Sequence, residues 1–366
     1  MSDRPLGVGI IGANPDRGWA SRAHVPAIRA SEALRLTAVA TTREQSAREA
    51  RERFGAARAF TDAASLARDP DVDLVVVTVK VPAHLELVMA ALDAGKHVYC
   101  EWPLARTASE AATLAAAAEA AGVHAVVGLQ ARFAPAVVRA RAMLAAGYLG
   151  TIRSVNLYSS RSKGSAREVP AWTAYTYDAR DGAGLVEVLG GHAVDLVRYL
   201  CGPIARLSTQ TALLTREHQV AETGEPIAVT APDHLLAVGE HHSGAVVSIH
   251  LHDTEAAVPR TRLEVMGSAG DLALGSAPET DPWAAQLQIG RLDLHHAAAG
   301  DPTWRPVVLE PDGFDSLTPE AVNVARVYHQ LACDVENGTH HAPGFQAAHE
   351  LHQHIEAVTY PAPAPA

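Results

Sequence analysis

The segment GVGIIGANPDRGWASRAHVPAI, residues 7–28, runs from an apolar stretch through a glycine-punctuated turn into a helix, the layout of a phosphate-binding loop. Gly7, Gly9 and Gly12 satisfy the literal G-x-G-x-x-G spacing, but that register leaves the first two glycines inside the strand, beyond the reach of a phosphate. The register that serves a ligand begins at Gly12 and passes through Asn14 to Gly18. It is one residue longer than the usual dinucleotide fingerprint and has asparagine in place of the second glycine. Asparagine tolerates positive φ better than most residues. The amides of this turn and the positive end of the following helix dipole would face a pyrophosphate, and a side chain added at position 12 would point toward it. The alternative is an ordinary glycine-rich turn between a strand and a helix.

Three further groups carry chemistry. At the end of the second strand stand Thr41, Thr42 and Arg43, where a site for NAD usually has an acid for the ribose hydroxyls. Hydroxyls and a guanidinium suit a 2′-phosphate, so NADP is preferred over NAD; Arg43 could instead simply open a solvated helix. Lys80 follows the β-branched run of VTVKVPAH at the carboxyl end of a buried strand. Partial desolvation there would depress its pKa, as a proton acceptor near neutral pH requires, unless its amine reaches water or binds a cofactor hydroxyl. Among nineteen histidines, His250 and His252 share a strand face and His349 and His352 a helix face. No cysteine or carboxylate completes either set, and no metal is expected.

Positioning these groups requires a scaffold that presents strand ends to a ligand. LRLTAVAT (34–41), DLVVVTV (73–79), HVYC (97–100) and HAVVGL (124–129) read as strands, the second a continuous apolar run suited to burial on both faces. Helices are expected between them at 46–54, 84–94 and 109–121, the last with a serine cap. This alternation implies a doubly wound parallel sheet whose ligand sits beyond the carboxyl ends of its strands. After a helix at 135–147 the rhythm changes to long alternating segments, IRSVNLYSS, GAVVSIHLH and TRLEVMG, separated by glycine and proline turns. These suit an antiparallel or mixed sheet with one open face. Two amphipathic helices at 319–337 and 345–359 could cover that sheet, and the tail YPAPAPA cannot continue a helix. The expected division is residues 1–130 and 131–366.

With 366 residues, 48% hydrophobic and 19% charged, the chain suits two globular domains. Its formal charge of −11 and pI near 5.9 argue against nucleic acid or anionic membranes as partners. Cys100, Cys201 and Cys333 are too few and too scattered for a disulfide framework, which points to a reducing compartment. The opening apolar run is short, and no segment approaches the roughly 18 apolar residues of a membrane span, so a cytoplasmic protein is expected.

The glycine loop, VTVKVPAH, GKHVYCEWPLA, LQARFAPAVVRARAMLAAGYLGTIRSV and GGHAVDLVRYLCG, in that order, resemble the Gfo/Idh/MocA oxidoreductases over nearly the whole chain. The resemblance implies an N-terminal Rossmann domain and a C-terminal α+β domain with a large open sheet. It also implies hydride transfer between a nicotinamide cofactor and a sugar, polyol or related carbinol, and a homodimer or homotetramer built through that sheet. It assigns the cofactor to Gly12, Asn14, Gly18, Trp19, Thr41, Thr42, Arg43, Val79, His84, Glu101 and Pro103. Substrate falls to Glu101, Trp102, Arg132 and Asp195, and His192 faces the substrate by its register in the family motif; Lys80, where family members often carry proline, is the replacement base that the strand pattern offers, with the phenols of Tyr175 and Tyr177 as further donors. The alternative for His192 is a core histidine bonded to a backbone carbonyl.

Two departures stand out. The family's Glu-Lys-Pro is here Glu101-Trp102-Pro103, and its Asp-x-x-x-His is Val188 to His192. An indole neither accepts a proton nor stabilises an alkoxide, although Trp102 could stack on a sugar or the nicotinamide, or simply pack at a strand end. Both losses resemble the branch that includes the yeast galactose-regulon repressor. They therefore open a second reading, a nucleotide-binding regulator without turnover.

Overall fold

A computed structural model describes residues 4–255, 257–276 and 284–359; the tail YPAPAPA lies outside them. The chain forms two compact units. One comprises residues up to Gln130 together with Asp312–His352, the other Ala131–Pro311 together with residues from Gln353 on.

The first unit is built on β1 (Leu6–Ile11), β2 (Leu34–Ala40), β3 (Arg58–Phe60), β4 (Leu74–Val77), β5 (His97–Cys100) and β6 (Ala125–Val127). Their order is β3-β2-β1-β4-β5-β6, and every pairing is parallel. This is the doubly wound order in which the chain reverses direction beside β1, the place where such sheets receive dinucleotides. Leu74, Val75, Val76 and Val77 of β4 are fully buried, as an apolar run covered on both faces must be. The helix Ala108–Ala121 is capped not at Ser109 but by Thr107, whose side chain accepts from the Glu110 amide.

The sequence division at residue 130 places 312–352 in the second domain; the structure returns this stretch to the first unit. Helix Pro319–Asn337 packs against the helical segments Ala20–His24 and Val25–Arg29 rather than on the second sheet. Beyond it, the Val127 amide donates to Pro343 O at 2.9 Å and Val126 bridges Gly344, closing the outer edge of β6.

The second unit carries an eight-stranded mixed sheet. From one edge to the other it runs Arg305–Pro306, Leu292–Ala298, Gly270–Ser276, Thr261–Gly267, Ile152–Ser160, Val246–His252, His234–His241 and Ile204–Ala212. All pairings are antiparallel except Ile152–Ser160 with Val246–His252. Alternation sorts the two faces: Val247, Ile249 and Leu251 are buried, while Val246, Leu236 and Val238 stand out on the opposite face at 59%, 42% and 58% exposure. His234, His250 and His252 cluster on that open face around Tyr158. Among the described residues no group of three histidines, cysteines or acids is arranged to hold a metal ion, and no helix is long and apolar enough to cross a membrane.

Candidate active site

The residues singled out by sequence fall into two groups, one in each unit. In the first, the loop after β1 turns on Gly12 (φ 92°) and Gly18 (φ 94°), while no described residue other than glycine has positive φ. Asn14 therefore does not serve as a surrogate glycine. Its Oδ1 accepts from the amides of Asp16 (2.9 Å) and Arg17 (3.2 Å), an internal cap that holds the longer loop in shape. The amides of Gly12, Ala13 and Asn14 are likewise spent on Ala40 O and Gly12 O. Anion binding thus falls to the later part of the loop and the opening of the helix, whose first amides have no partner within the helix. A Cβ at Gly18 would meet nothing within 4 Å, and the buried indole nitrogen of Trp19 has no protein acceptor. An open approach beside an unsatisfied donor fits a pyrophosphate.

Gly12 has a different reason to be glycine. A Cβ there would lie 2.8 Å from Val79 Cγ1 and 3.2 Å from the Thr78 carbonyl carbon, toward the strand-end turn and not toward a ligand. Gly12→Ala is accordingly expected to cost about 1–3 kcal/mol of stability, read as a lowered unfolding midpoint in denaturant, before any effect on nucleotide binding.

At the end of β2, Thr41 Oγ1 donates to Arg43 O (3.0 Å) and pairs with Ser46 Oγ (2.7 Å), whereas Thr42 and Arg43 are exposed. His84 is buried between two backbone carbonyls, Val79 O at 3.1 Å and Pro103 O at 2.9 Å. Burial holds its pKa below the ordinary value while the two carbonyls oppose that shift; the neutral ring donates its single N–H to one of them and packs between the loops after β4 and β5. Lys80 is exposed, which removes the desolvation that the strand pattern attributed to it.

Glu101 belongs to a relay that the sequence does not reveal. His24 Nε2–H donates to Glu101 Oε1 (2.9 Å), which leaves His24 Nδ1 to accept from the Tyr328 hydroxyl (2.7 Å). The carboxylate lies over Gly128, where a Cβ would meet it at 3.1 Å. Trp102, joined to Pro103 by a cis peptide, is only 6% exposed and packs with its ring 4.5 Å from that of His352. The indole is a packing residue, not the exposed stacking platform that a sugar would need.

In the second unit, Arg132 donates to both carboxylate oxygens of buried Asp195 and lies over the Tyr199 ring. The pair fastens the turn Gln130–Phe133 to helix Gly191–Cys201, so neither member is a free ligand contact. His192 follows a π-helical turn, Val186–Gly190, and is buried with no partner at Nδ1. Burial, with the Arg161 charge second, lowers its pKa to about 3. His192 is therefore neutral at physiological pH and can bond a hydroxyl, but it is a poor base. Tyr175 is half-buried and its pKa is raised by burial. Tyr177 is pushed up to about 12 by burial and then Asp253, so it stays protonated and its hydroxyl donates to Lys163 O (3.4 Å). Around it lies a polar cluster: Arg161 binds Asp253 through two nitrogens, one contact at 2.8 Å, and Lys163 Nζ sits 2.6 Å from Thr176 Oγ1. Only chain contacts far apart in sequence assemble this cluster, which is why motif reading passes it over.

A Rossmann sheet with a nucleotide-binding turn, followed by an open mixed sheet bearing a buried polar cluster, defines a dinucleotide-dependent oxidoreductase architecture. The chain belongs to the Gfo/Idh/MocA oxidoreductase family: the model for the oxidoreductase family with an NAD-binding Rossmann fold matches residues 6–129, and that for the family's C-terminal domain matches 137–273. Inositol 2-dehydrogenase of Acidothermus cellulolyticus is 32% identical over 276 residues, covering 75% of this chain and 74% of that protein. Dehydrogenase aclE of Aspergillus oryzae is 34% identical over 229 residues, covering 61% of this chain and 62% of that protein. The galactose/lactose metabolism regulatory protein GAL80 of Saccharomyces cerevisiae is 29% identical over 290 residues, covering 74% of this chain and 66% of that protein. The chain thus spans a little under two thirds of the latter two relatives. A solved structure of levoglucosan dehydrogenase in complex with NADH and L-sorbose shares the fold, with a TM-score of 0.84 at 22% identity, covering 97% of this chain and 96% of that one.

Proposed function

We propose that this protein is an NAD(P)-dependent dehydrogenase or reductase acting on a sugar, polyol or related carbinol, and that it works in the cytoplasm. The observation that carries the reading is the open turn at Gly18 beside the unsatisfied indole nitrogen of Trp19; within the second unit, the buried His192 with no protein partner at Nδ1 supports it. The bound nicotinamide would supply the hydride acceptor. Trp19 and the amides that open the helix would hold the pyrophosphate, Thr42 and Arg43 the adenosine ribose, and neutral His192 a substrate hydroxyl. Dehydrogenases among the relatives support the substrate class. Exposed Arg43, with no acid at the end of β2, supports NADP over NAD. The apolar open sheet face at Leu236, Val238 and Val246 supports a homodimer or dimer-based tetramer.

Purified protein is expected to change nicotinamide absorbance with at least one polyol or sugar. Arg43→Ala should weaken NADPH binding at least several-fold more than NADH binding in a fluorescence titration; equal losses would mean that Arg43 does not read the 2′-phosphate. The second reading, a nucleotide-binding regulator, is favoured by Trp102 and Val188 where the family carries lysine and aspartate, and by the likeness to GAL80. Tight NAD(P) binding without turnover on any carbinol or ketone would establish it.

A further inference from the structure

Glu101 is placed as a ligand for hydroxyl groups. It follows β5, its amide donates to Val77 O at the end of β4 (3.2 Å), and its carboxylate lies over Gly128, just past the end of β6. It therefore stands at the carboxyl ends of three adjacent strands, the side on which a doubly wound sheet receives its ligand. The side chain is 17% exposed, so part of it can be reached while the rest is fixed. His24, fully buried, does the fixing: its Nε2–H donates to Oε1 at 2.9 Å, and its Nδ1 accepts from the Tyr328 hydroxyl at 2.7 Å. The imidazole is held edge-on by the rings of Tyr99 and Tyr328, with centroids 5.1 and 5.7 Å away. Among the described residues His24 supplies the one side-chain donor in hydrogen-bond geometry with this carboxylate, whose oxygens offer about four acceptor positions. Beside it the buried Tyr99 hydroxyl also finds no hydrogen-bond partner among them. A half-buried carboxylate with acceptor positions to fill calls for a ligand that donates, and the diol of a ribose presents two donors on adjacent carbons.

Glu101, His24, Tyr99 and Tyr328 all belong to the first unit. On the reading above, the turn at Gly18 and Trp19 holds the pyrophosphate, and Thr42 and Arg43 after β2 hold the adenosine ribose. The nicotinamide half then falls on the other half of the sheet, at the ends of β4 to β6. Resting on that dinucleotide site, we propose that Tyr328 and His24 are positioning residues for Glu101, and that Glu101 holds the ribose diol on the nicotinamide side of NAD(P). Burial, and after it the Glu101 charge, keeps both phenols protonated. The Tyr328 hydroxyl is thus available across the physiological pH range to fix the His24 ring, and the ring to fix the carboxylate. Helix Pro319–Asn337 thereby takes part in a site whose other residues all precede residue 130.

The test titrates the full chain, Tyr328→Phe, Glu101→Gln and their double variant by calorimetry with three probes. These are ADP, ADP-ribose, which adds the diol, and NADH or NADPH, whichever the parent binds more tightly. Glu101→Gln is expected to weaken ADP-ribose and the dinucleotide at least about tenfold, and Tyr328→Phe at least about threefold, while ADP binds all four proteins equally. Tyr328→Phe should have no further effect once position 101 is glutamine, because the hydroxyl acts through the carboxylate. A merely structural role would weaken ADP as well, since His24 lies in the helical segment that follows the glycine loop, and that result overturns the proposal. So do single effects that simply multiply in the double variant, or a loss confined to the dinucleotide, which would put the carboxylate on the nicotinamide ring and not on the diol. His24→Gln, which keeps a donor for Glu101 and an acceptor for Tyr328, should retain more dinucleotide affinity than His24→Leu, which keeps neither; equal losses overturn the relay. A parent that binds neither NADH nor NADPH removes the nucleotide reading and this proposal together. A parent that binds one of them while Tyr328→Phe and Glu101→Gln match it removes the Glu101 assignment alone.

Discussion

Arg161→Met is expected to destabilise the protein by about 3–5 kcal/mol, because it leaves the Asp253 carboxylate buried without its counter-charge. Both partners are less than a tenth exposed in their side chains, so water does not compensate either one. The same physics makes the converse change mild. Replacing both residues, Arg161→Met with Asp253→Leu, removes two desolvated charges together and is expected to recover most of the loss. Denaturant unfolding of the four proteins in the cycle measures this; strictly additive single effects would show that the two charges are not coupled. Losing Arg161 also removes the charge that opposes protonation of Lys163 and frees Asp253 to favour it, so the Lys163 amine should titrate at a higher pH in the same variant.

Acid should weaken the protein through His192. Its folded-state pKa of about 3 lies below the ordinary histidine value of 6.5, so between these limits the unfolded chain binds the proton that the folded chain refuses. The stability associated with this group is fully present above pH 6.5, declines as pH falls, and is gone below about 3. The slope is about 1.4 kcal/mol per pH unit, or about 2 kcal/mol between pH 6.5 and 5. His192→Leu should flatten the decline by that amount when unfolding midpoints are compared at pH 7 and pH 5. A residual slope is expected from His352, which burial lowers to about 4. An unchanged slope in His192→Leu would mean that the imidazole can accept a proton in place.

The first sheet was legible because its determinants are local: apolar runs of strand length, helices between them, and glycine at turns that need positive φ, Gly12 and Gly18 among them. The cap was expected at Ser109, although Thr107 and Glu110 have the spacing of a capping box and Thr107 is the residue that caps. Errors arose where a local pattern stood in for a non-local fact. The β-branched run through Val79 suggested a buried lysine at position 80, but β4 leaves the sheet after Val77 and Lys80 emerges into solvent. For Trp102 the motif position left stacking on a ligand and packing at a strand end both open, and His352, 250 residues away, packs against its ring. Lys163 drew no notice because nothing in RSKGS announces burial; Thr176, Tyr177 and Asp253 impose it from other segments. Tyr328 joined to His24 was equally out of reach of spacing arguments.

The return of residues 312–352 to the first unit also dictates an order of events on the ribosome. All six strands of the first sheet emerge by residue 127, but Tyr328 and the Pro343–Gly344 edge closure of β6 emerge more than two hundred residues later. At about 5–20 residues per second this interval lasts roughly 10–45 s. Throughout it the nascent sheet presents an unpaired parallel edge and an uncovered helical face, the surfaces that recruit stray strands. Nearly all of the second unit is synthesised within the same interval. The unit that begins first therefore closes late, and an N-terminal fragment ending at residue 130 lacks the segment that seals the β6 edge in the full chain.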